Sequence, residues 1–244
     1  MTKTNVLVLA AGAPQFISSN DNGYPSSLAE VGGHSLLELI LEKMAGIEGA
    51  NFIFALRDDE IDQFHLDQVV ELLCPGARVM RIADGTQGSA CSALMAACTI
   101  PADEEVLIVS ANELVNVNFP AVLSSFREQG LDGGTLTFHS VHPRYSYVRL
   151  GNDDLISEVS QRRPISKHAT TGTFWYARAE YLVDAIKQMI RKGDALDGRY
   201  YIAKTFNEMI LAQKRIGVWK INVDQYHPLK SDRHLSQFEQ LEAM

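Results

Sequence analysis

An uninterrupted apolar run, Val6-Leu7-Val8-Leu9-Ala10, stops at Ala11-Gly12-Ala13-Pro14. A strand with one face in water alternates apolar and polar residues. A strand that is apolar at every position must be covered on both faces, as in the middle of a parallel sheet with helices above and below. The rest of the first half follows the same plan. Leu36, Leu37, Leu39, Ile40, Met44 and Ile47 fall on one broad helical face. Residues 51–56 read as a strand, 61–73 as a helix ended by Pro75-Gly76, and 78–82 as a short strand. Small apolar residues over 89–98 predict a tightly packed helix, and 105–109 is the most apolar strand of the middle region. This alternation of strand and helix predicts right-handed βαβ units and a parallel sheet.

The second half is more mixed. A helix is expected over 119–129 with Pro120 in its first turn, where a missing N–H costs nothing. Strands follow over 133–140 and 145–150, with a hairpin turn at Gly151-Asn152-Asp153-Asp154 leading to Ile156. A strand over 173–177, helices over 180–192 and 203–213, a strand over 216–223 and a helix over 232–242 complete the reading. With no long linker, repeat or low-complexity tract, residues 1–244 are expected to form one domain built on a mixed sheet, although an attached lobe would also fit.

Composition narrows the functional classes. A chain of 244 residues can bury roughly 70–75% of the surface its unfolded form exposes, so it needs no staples. The net charge of −8 argues against a broad phosphate-neutralising nucleic-acid surface, and leaves room for a small basic pocket. Three cysteines without a C-x-x-C pair make a poor disulfide framework, and Cys91 and Cys98 read as small buried residues. The N-terminus runs straight into a strand, and no apolar run approaches the roughly 18–20 residues of a membrane helix, so a cytoplasmic protein without a membrane partner is expected.

In an open parallel sheet, ligands sit beyond the carboxyl ends of the strands. That puts the loop after the first strand, the loop around Gly88 and the loop after Val109 on one rim. Gly12 permits a sharp turn and close approach of backbone N–H groups to a phosphate, although a lone glycine marks a plain turn as readily. The dinucleotide fingerprint is absent, because its second and third glycines are missing.

Five segments in order then carry a resemblance. They are Val8-Leu9-Ala10-Ala11-Gly12 with Gly23-Tyr24-Pro25; Leu28-Ala29-Glu30-Val31-Gly32-Gly33 with Leu36-Leu37-Glu38; Gly85-Thr86-Gln87-Gly88-Ser89-Ala90; Val106 through Glu113; and Arg163-Pro164-Ile165-Ser166 with His168 through Phe174. Together they resemble the sugar-phosphate nucleotidyltransferases, in particular the glucose-1-phosphate thymidylyltransferase-like branch found with capsule and surface-sugar genes. The resemblance implies a Rossmann-like three-layer α/β/α mixed sheet of the nucleotide-diphospho-sugar transferase type. It also implies a reaction between a nucleoside triphosphate and a sugar 1-phosphate, giving an NDP-sugar and pyrophosphate. It assigns Ala11, Gly12, Ala13, Gln87 and Gly88 to the nucleotide, with Gln87 and the Gly88 backbone on the base. Glu113, Arg162, Thr170 and Gly172 fall to the sugar phosphate, and Arg162 and Asn112 to catalysis. Mg²⁺ is the implied cofactor, with Asn112 and Glu113 as its weak candidate ligands, and a homo-oligomer fits the resemblance.

The departures from the family pattern concentrate on charge. Phosphoryl transfer is mainly positioning and charge neutralisation. Yet the first loop reads Gly12-Ala13-Pro14-Gln15-Phe16 without a cation, the usual Pro-Lys is Pro25-Ser26, and the usual aspartate of the middle strand is Asn112. Glu113 is adjacent, but neighbours on an extended chain point in opposite directions. The second metal-binding aspartate has no clear equivalent, with Asp224 a few residues early. Positive charge survives at Arg162, Arg163 and Lys167, with Lys230 and Arg233 further on, although Arg162-Arg163 reads equally well as a solvated turn. Three readings stay open: a transferase with rearranged cations and reduced activity, a non-catalytic binding or regulatory protein that kept the fold, and a nucleotide-sugar-dependent glycosyltransferase. The last lacks its Asp-x-Asp, which is Ser110-Ala111-Asn112 here. His139 with His142 offers too few ligands for a metal. His168 reads as a surface histidine, Trp175 as core, and Glu104-Glu105 and Asp58-Asp59-Glu60 as solvated element ends. Everything from Glu180 onward reads as scaffold.

Overall fold

The computed structural model describes residues 3–12, 25–229, His234 and Phe238. The apolar run forms β1 (Thr4–Leu9), and a 3-10 turn and a two-residue hairpin, β2 (Glu30–Val31) with β3 (His34–Ser35), lead into α1 (Leu36–Met44). Ser35 caps α1: its hydroxyl accepts from the Glu38 N–H while the Glu38 carboxylate accepts from the Ser35 N–H. Then come β4 (Asn51–Arg57), α2 (Asp58–Phe64), α3 (Leu66–Leu73), β5 (Arg78–Ile82), α4 (Ser89–Ala97) and β6 (Glu105–Ser110). The single helix expected over 61–73 is two, because His65 adopts a left-handed φ of 53° and donates its N–H to Ile61. Helical spacing of apolar residues continues across such a break and cannot reveal it.

After β6 follow β7 (Glu113–Val115), α5 (Phe119–Glu128), β8 (Gly133–His139), β9 (Ser146–Leu150), β10 (Ile156–Gln161) and β11 (His168–Tyr176). Then come α6 (Ala179–Arg191), α7 (Thr205–Leu211), β12 (Ile216–Lys220) and β13 (Tyr226–Pro228). The helix expected over 232–242 lies outside the described residues except for His234 and Phe238, which are helical.

Nine of these strands form one mixed sheet. Its middle is parallel, with β1 between β4 and β6 and β5 outside β4. The strand β11 runs antiparallel against β6, β8 and β9, and β12 pairs parallel with β8. Alternation in β1 accounts for its uninterrupted apolar run. Val6 and Val8 face one layer with α1, α2, α3 and α5, while Leu7 faces the other with α4, α6 and α7. The chain therefore has the expected three-layer α/β/α architecture, built on this nine-stranded mixed sheet.

Two assignments to solvent are corrected. Glu105 is 1% exposed: its carboxylate accepts from the Thr4 hydroxyl, the Arg127 guanidinium and the Trp175 indole N–H. A carboxylate can be buried there because each of its partners is a donor. Glu60 is 8% exposed, and burial raises its carboxyl to about 7 despite Arg57 at 3.7 Å. Conversely, Cys98, expected inside, is exposed and Cys91 half-buried, because the buried stripe of α4 belongs to Ala90, Ala93, Ala96 and Ala97. Trp175 is core, stacked on Phe126 with centroids 5.6 Å apart.

Candidate functional site

The carboxyl ends of β1, β4, β5 and β6 open into one cleft of about 410 Å³. This lies within the range of about 300–1,000 Å³ for small-molecule sites. Three loops form it, as the strand order demands. Ala10, Ala11 and Gly12 continue β1, and the Ala10 N–H donates to Ala55 at the end of β4. Ser110, Ala111 and Asn112 continue β6, and the Ala111 N–H donates back to Leu9. Residues 83–88 after β5 close the third side and lead into α4, which presents Ser89 and Ser92 to the cleft.

Gly88 is the joint of this last loop. Its φ of 96° and ψ of 173° are reserved to glycine in practice. A Cβ there would meet the Tyr200 carbonyl at 2.5 Å and the Tyr200 nitrogen at 2.9 Å. That backbone is pinned from both sides: the Tyr200 N–H donates to Gln87 at 2.9 Å and its carbonyl accepts from Ala90 at 3.1 Å. The segment before α7 therefore reaches the rim, bringing Arg199, Tyr201 and Ile202 into the lining. The reading of everything beyond Glu180 as scaffold is corrected by these residues and by Leu229, whose N–H donates to the Asn112 carbonyl at 2.8 Å.

The floor is set by β11. Its register against β8 breaks between Thr170 and Phe174, and Gly172 sits in the gap. A side chain at Gly172 would meet the Ser110 Cβ at 2.6 Å and a Glu113 oxygen at 3.0 Å. Behind this floor Glu113 is buried, accepting from the Gly172 N–H and, at 3.0 Å, from the Tyr226 hydroxyl. Burial and the adjacent Glu113 charge push the Tyr226 phenol well above its usual value.

The structure brings Ala11, Gly12, Gly88, Asn112 and Gly172 together around the cleft. Gln87 adjoins it with an exposed side chain. Arg162 stands outside the lining: it pairs with Asp197 at 3.0 Å and lies over the Tyr201 ring at 5.5 Å. Glu113 and Thr170 are not in the lining, since Glu113 is held behind Gly172 and Thr170 is buried in β11 opposite Thr137. Ala13, Lys230 and Arg233 lie outside the described residues. Arg163 pairs with Glu158 at 3.7 Å. Asp224 is exposed in a 3-10 turn away from the lining, and His168 pairs across strands with His139.

Two arginines of the lining were not anticipated. Arg57 at the end of β4 binds Asp59 at 2.6 Å and Asp84 at 2.7 Å. Arg199 has no ion-pair partner among the described residues. The sequence signal for Arg57 is its place one residue past an apolar strand, on the rim where ligands of a parallel sheet sit.

The donor set does not suit a protein-held magnesium ion. The sole carboxylate among the described lining residues is Asp84, and Arg57 holds it. The Asn112 side-chain oxygen accepts the Ser110 hydroxyl at 2.9 Å, which leaves its N–H donors for the cleft. No cluster of three His, Cys, Asp or Glu residues suitable for a metal occurs among the described residues. No helix among them is long and apolar enough to cross a membrane.

No protein-family model matches the sequence, and no curated protein matches it. Solved structures do. The nucleoside-diphosphate-sugar pyrophosphorylase of Vibrio cholerae RC9 superposes with a TM-score of 0.81 at 18% identity, covering 96% of this chain and 99% of that one. A protein assigned as a glucose-1-phosphate thymidylyltransferase from Bacillus anthracis, in complex with sucrose, gives 0.75 at 16% identity. The inositol-1-phosphate CTP transferase of T. maritima gives 0.74 at 16%. Each of the latter two covers 98% of this chain, which covers 94% of theirs. At such identities the likeness is one of architecture, and the chain has the fold of the sugar-nucleotide pyrophosphorylases over nearly its whole length.

Proposed function

We propose that this protein is a sugar-nucleotide nucleotidyltransferase-like protein that binds a phosphorylated nucleoside at the carboxyl rim of its sheet. The observation that carries the reading is the cleft itself, where the turn after β1, the Gly88 joint with the start of α4, and the Asn112 turn converge on about 410 Å³ lined by two arginines. Backbone N–H groups at Ala11 and Gly12 suit a phosphate, and the edge formed by Gln87 and Gly88 suits a base. In the transfer, a sugar 1-phosphate oxygen would bond to the α-phosphorus while the bond from that phosphorus to the bridging oxygen breaks and pyrophosphate leaves. Asn112 would donate to the ribose or the α-phosphate. Arg199 would face the developing charge, and Arg162 at the Tyr201 edge would orient the sugar phosphate. Glu113, Thr170 and Gly172 serve this reading as the support of the floor.

Calorimetric titration with each nucleoside triphosphate, followed by a pyrophosphate-release assay over a panel of sugar 1-phosphates, tests it. Saturable binding with release for at least one pair is the expected result, and no binding across all nucleotides would refute it. A second reading, a binding protein without turnover, is favoured by one specific observation. Asn112 stands where the resemblance implies a carboxylate, and its oxygen is already occupied by Ser110. Retained binding with no release over the full panel would establish it.

A further inference from the structure

Among the described lining residues the charged side chains are two arginines and one aspartate and the other polar side chains are neutral, and this narrows the ligand. The Ser110 hydroxyl donates to the Asn112 oxygen, and the neutral Asn112 amide in the lining has N–H groups to donate. Arg199 adds a guanidinium with no carboxylate partner among the described residues. Ser89 and Ser92 stand at the start of α4, where the helix favours negative charge. The single carboxylate among the described lining residues, Asp84, is bound to Arg57 and faces water, so it is the group that a ligand phosphate would displace from that arginine. Among the described lining residues a metal ion finds one carboxylate, Asp84, already paired with Arg57, whereas an anion finds several donors. The formal charges among the described lining residues are two arginines against one aspartate, and Arg57 is also paired with Asp59.

On the function proposed above, we infer that the cleft takes a nucleoside diphosphate sugar without a divalent cation, in preference to a magnesium-complexed nucleoside triphosphate. The diphosphate bridge of a nucleotide sugar carries two negative charges, which two arginines and a ring of neutral donors satisfy. A triphosphate carries nearly twice that charge and normally shares it with magnesium, for which the protein would have to supply oxygen ligands or space.

The test uses the full-length protein and titrates UDP-, dTDP-, ADP- and GDP-sugars and the four nucleoside triphosphates, each in excess EDTA and in excess Mg²⁺. At least one nucleotide sugar should bind in EDTA with an affinity within about threefold of that in Mg²⁺, and more tightly than any triphosphate in either condition. Arg199→Ala, at an exposed position, should weaken that binding by about tenfold or more through loss of a charge-assisted contact. Asn112→Asp should reverse the sign of the metal effect, weakening binding in EDTA by like-charge repulsion and partly restoring it with Mg²⁺. Binding of nucleotide sugars only in Mg²⁺, or tighter binding of a triphosphate in either condition, would overturn the inference and leave the proposed function standing. Failure of every nucleotide in both conditions would overturn the proposed function as well.

Discussion

Replacing Gly88 by alanine separates two costs that the structure places at one atom. The backbone at Gly88 has φ 96° and ψ 173°, a region that costs a residue with a side chain about 1–3 kcal/mol. The added Cβ would also lie 2.5 Å from the Tyr200 carbonyl oxygen and 2.9 Å from its nitrogen. These are backbone atoms held by hydrogen bonds to Ala90 and Gln87, so relief requires moving the rim. Overpacking of this kind adds about 1–3 kcal/mol. Gly88→Ala should therefore lose about 2–6 kcal/mol, a large share of the roughly 5–15 kcal/mol that holds a domain folded. Gly85→Ala is the control in the same loop. Its φ is 89°, but nothing lies within 4 Å of the added Cβ, so it should lose only about 1–2 kcal/mol. Urea unfolding followed by far-UV circular dichroism measures both. Equal losses in the two variants would mean that the Tyr200 backbone yields freely and that the segment before α7 does not fix the rim.

Other outcomes follow from buried polar groups. Burial raises the Glu60 carboxyl from 4.5 to about 7, so the folded chain holds a proton that the unfolded chain has released between those values. That contribution is complete below 4.5, is lost as pH rises through 7, and amounts to about 3 kcal/mol at 1.36 kcal/mol per unit. Glu60→Gln should flatten the fall in stability with rising pH over that window, as followed by denaturant midpoints, and an unchanged pH profile would contradict the assignment. Glu105→Gln sets an amide N–H against the donors Thr4, Arg127 and Trp175 and should cost about 2–3 kcal/mol. The figure is kept low because Arg127 is 38% exposed, and thermal melts would measure it. Tyr226→Phe removes the hydroxyl that binds Glu113 behind the cleft floor and should lose about 1–2 kcal/mol. A variant as stable as the parent in urea unfolding would show that Glu113 is satisfied without it.

Patterns of period two and 3.6 carry short-range physics, and those features were legible in the chain. The apolar strand ending at Ala10, the capped helix at Leu36 and the strand over Glu105 to Ser110 follow from local burial, and their order requires a parallel centre with a cleft at its carboxyl rim. Ala11, Gly12, Gly88 and Asn112 could be placed on that rim because each lies in a loop that directly follows a strand of the parallel centre. What the sequence alone left undetermined depends on pairs distant along the chain. Arg199 and Leu229 reach the cleft only because the Tyr200 backbone docks on Gly88 and the Leu229 N–H binds Asn112. Glu113 is withdrawn from the cleft because a break in the register of β11 turns the Gly172 N–H toward it. Glu105 is buried because Thr4, Arg127 and Trp175 meet around it from three other elements. A one-dimensional pattern records which faces are apolar. Which donor meets which acceptor was decided only when the sheet and its two helical layers closed.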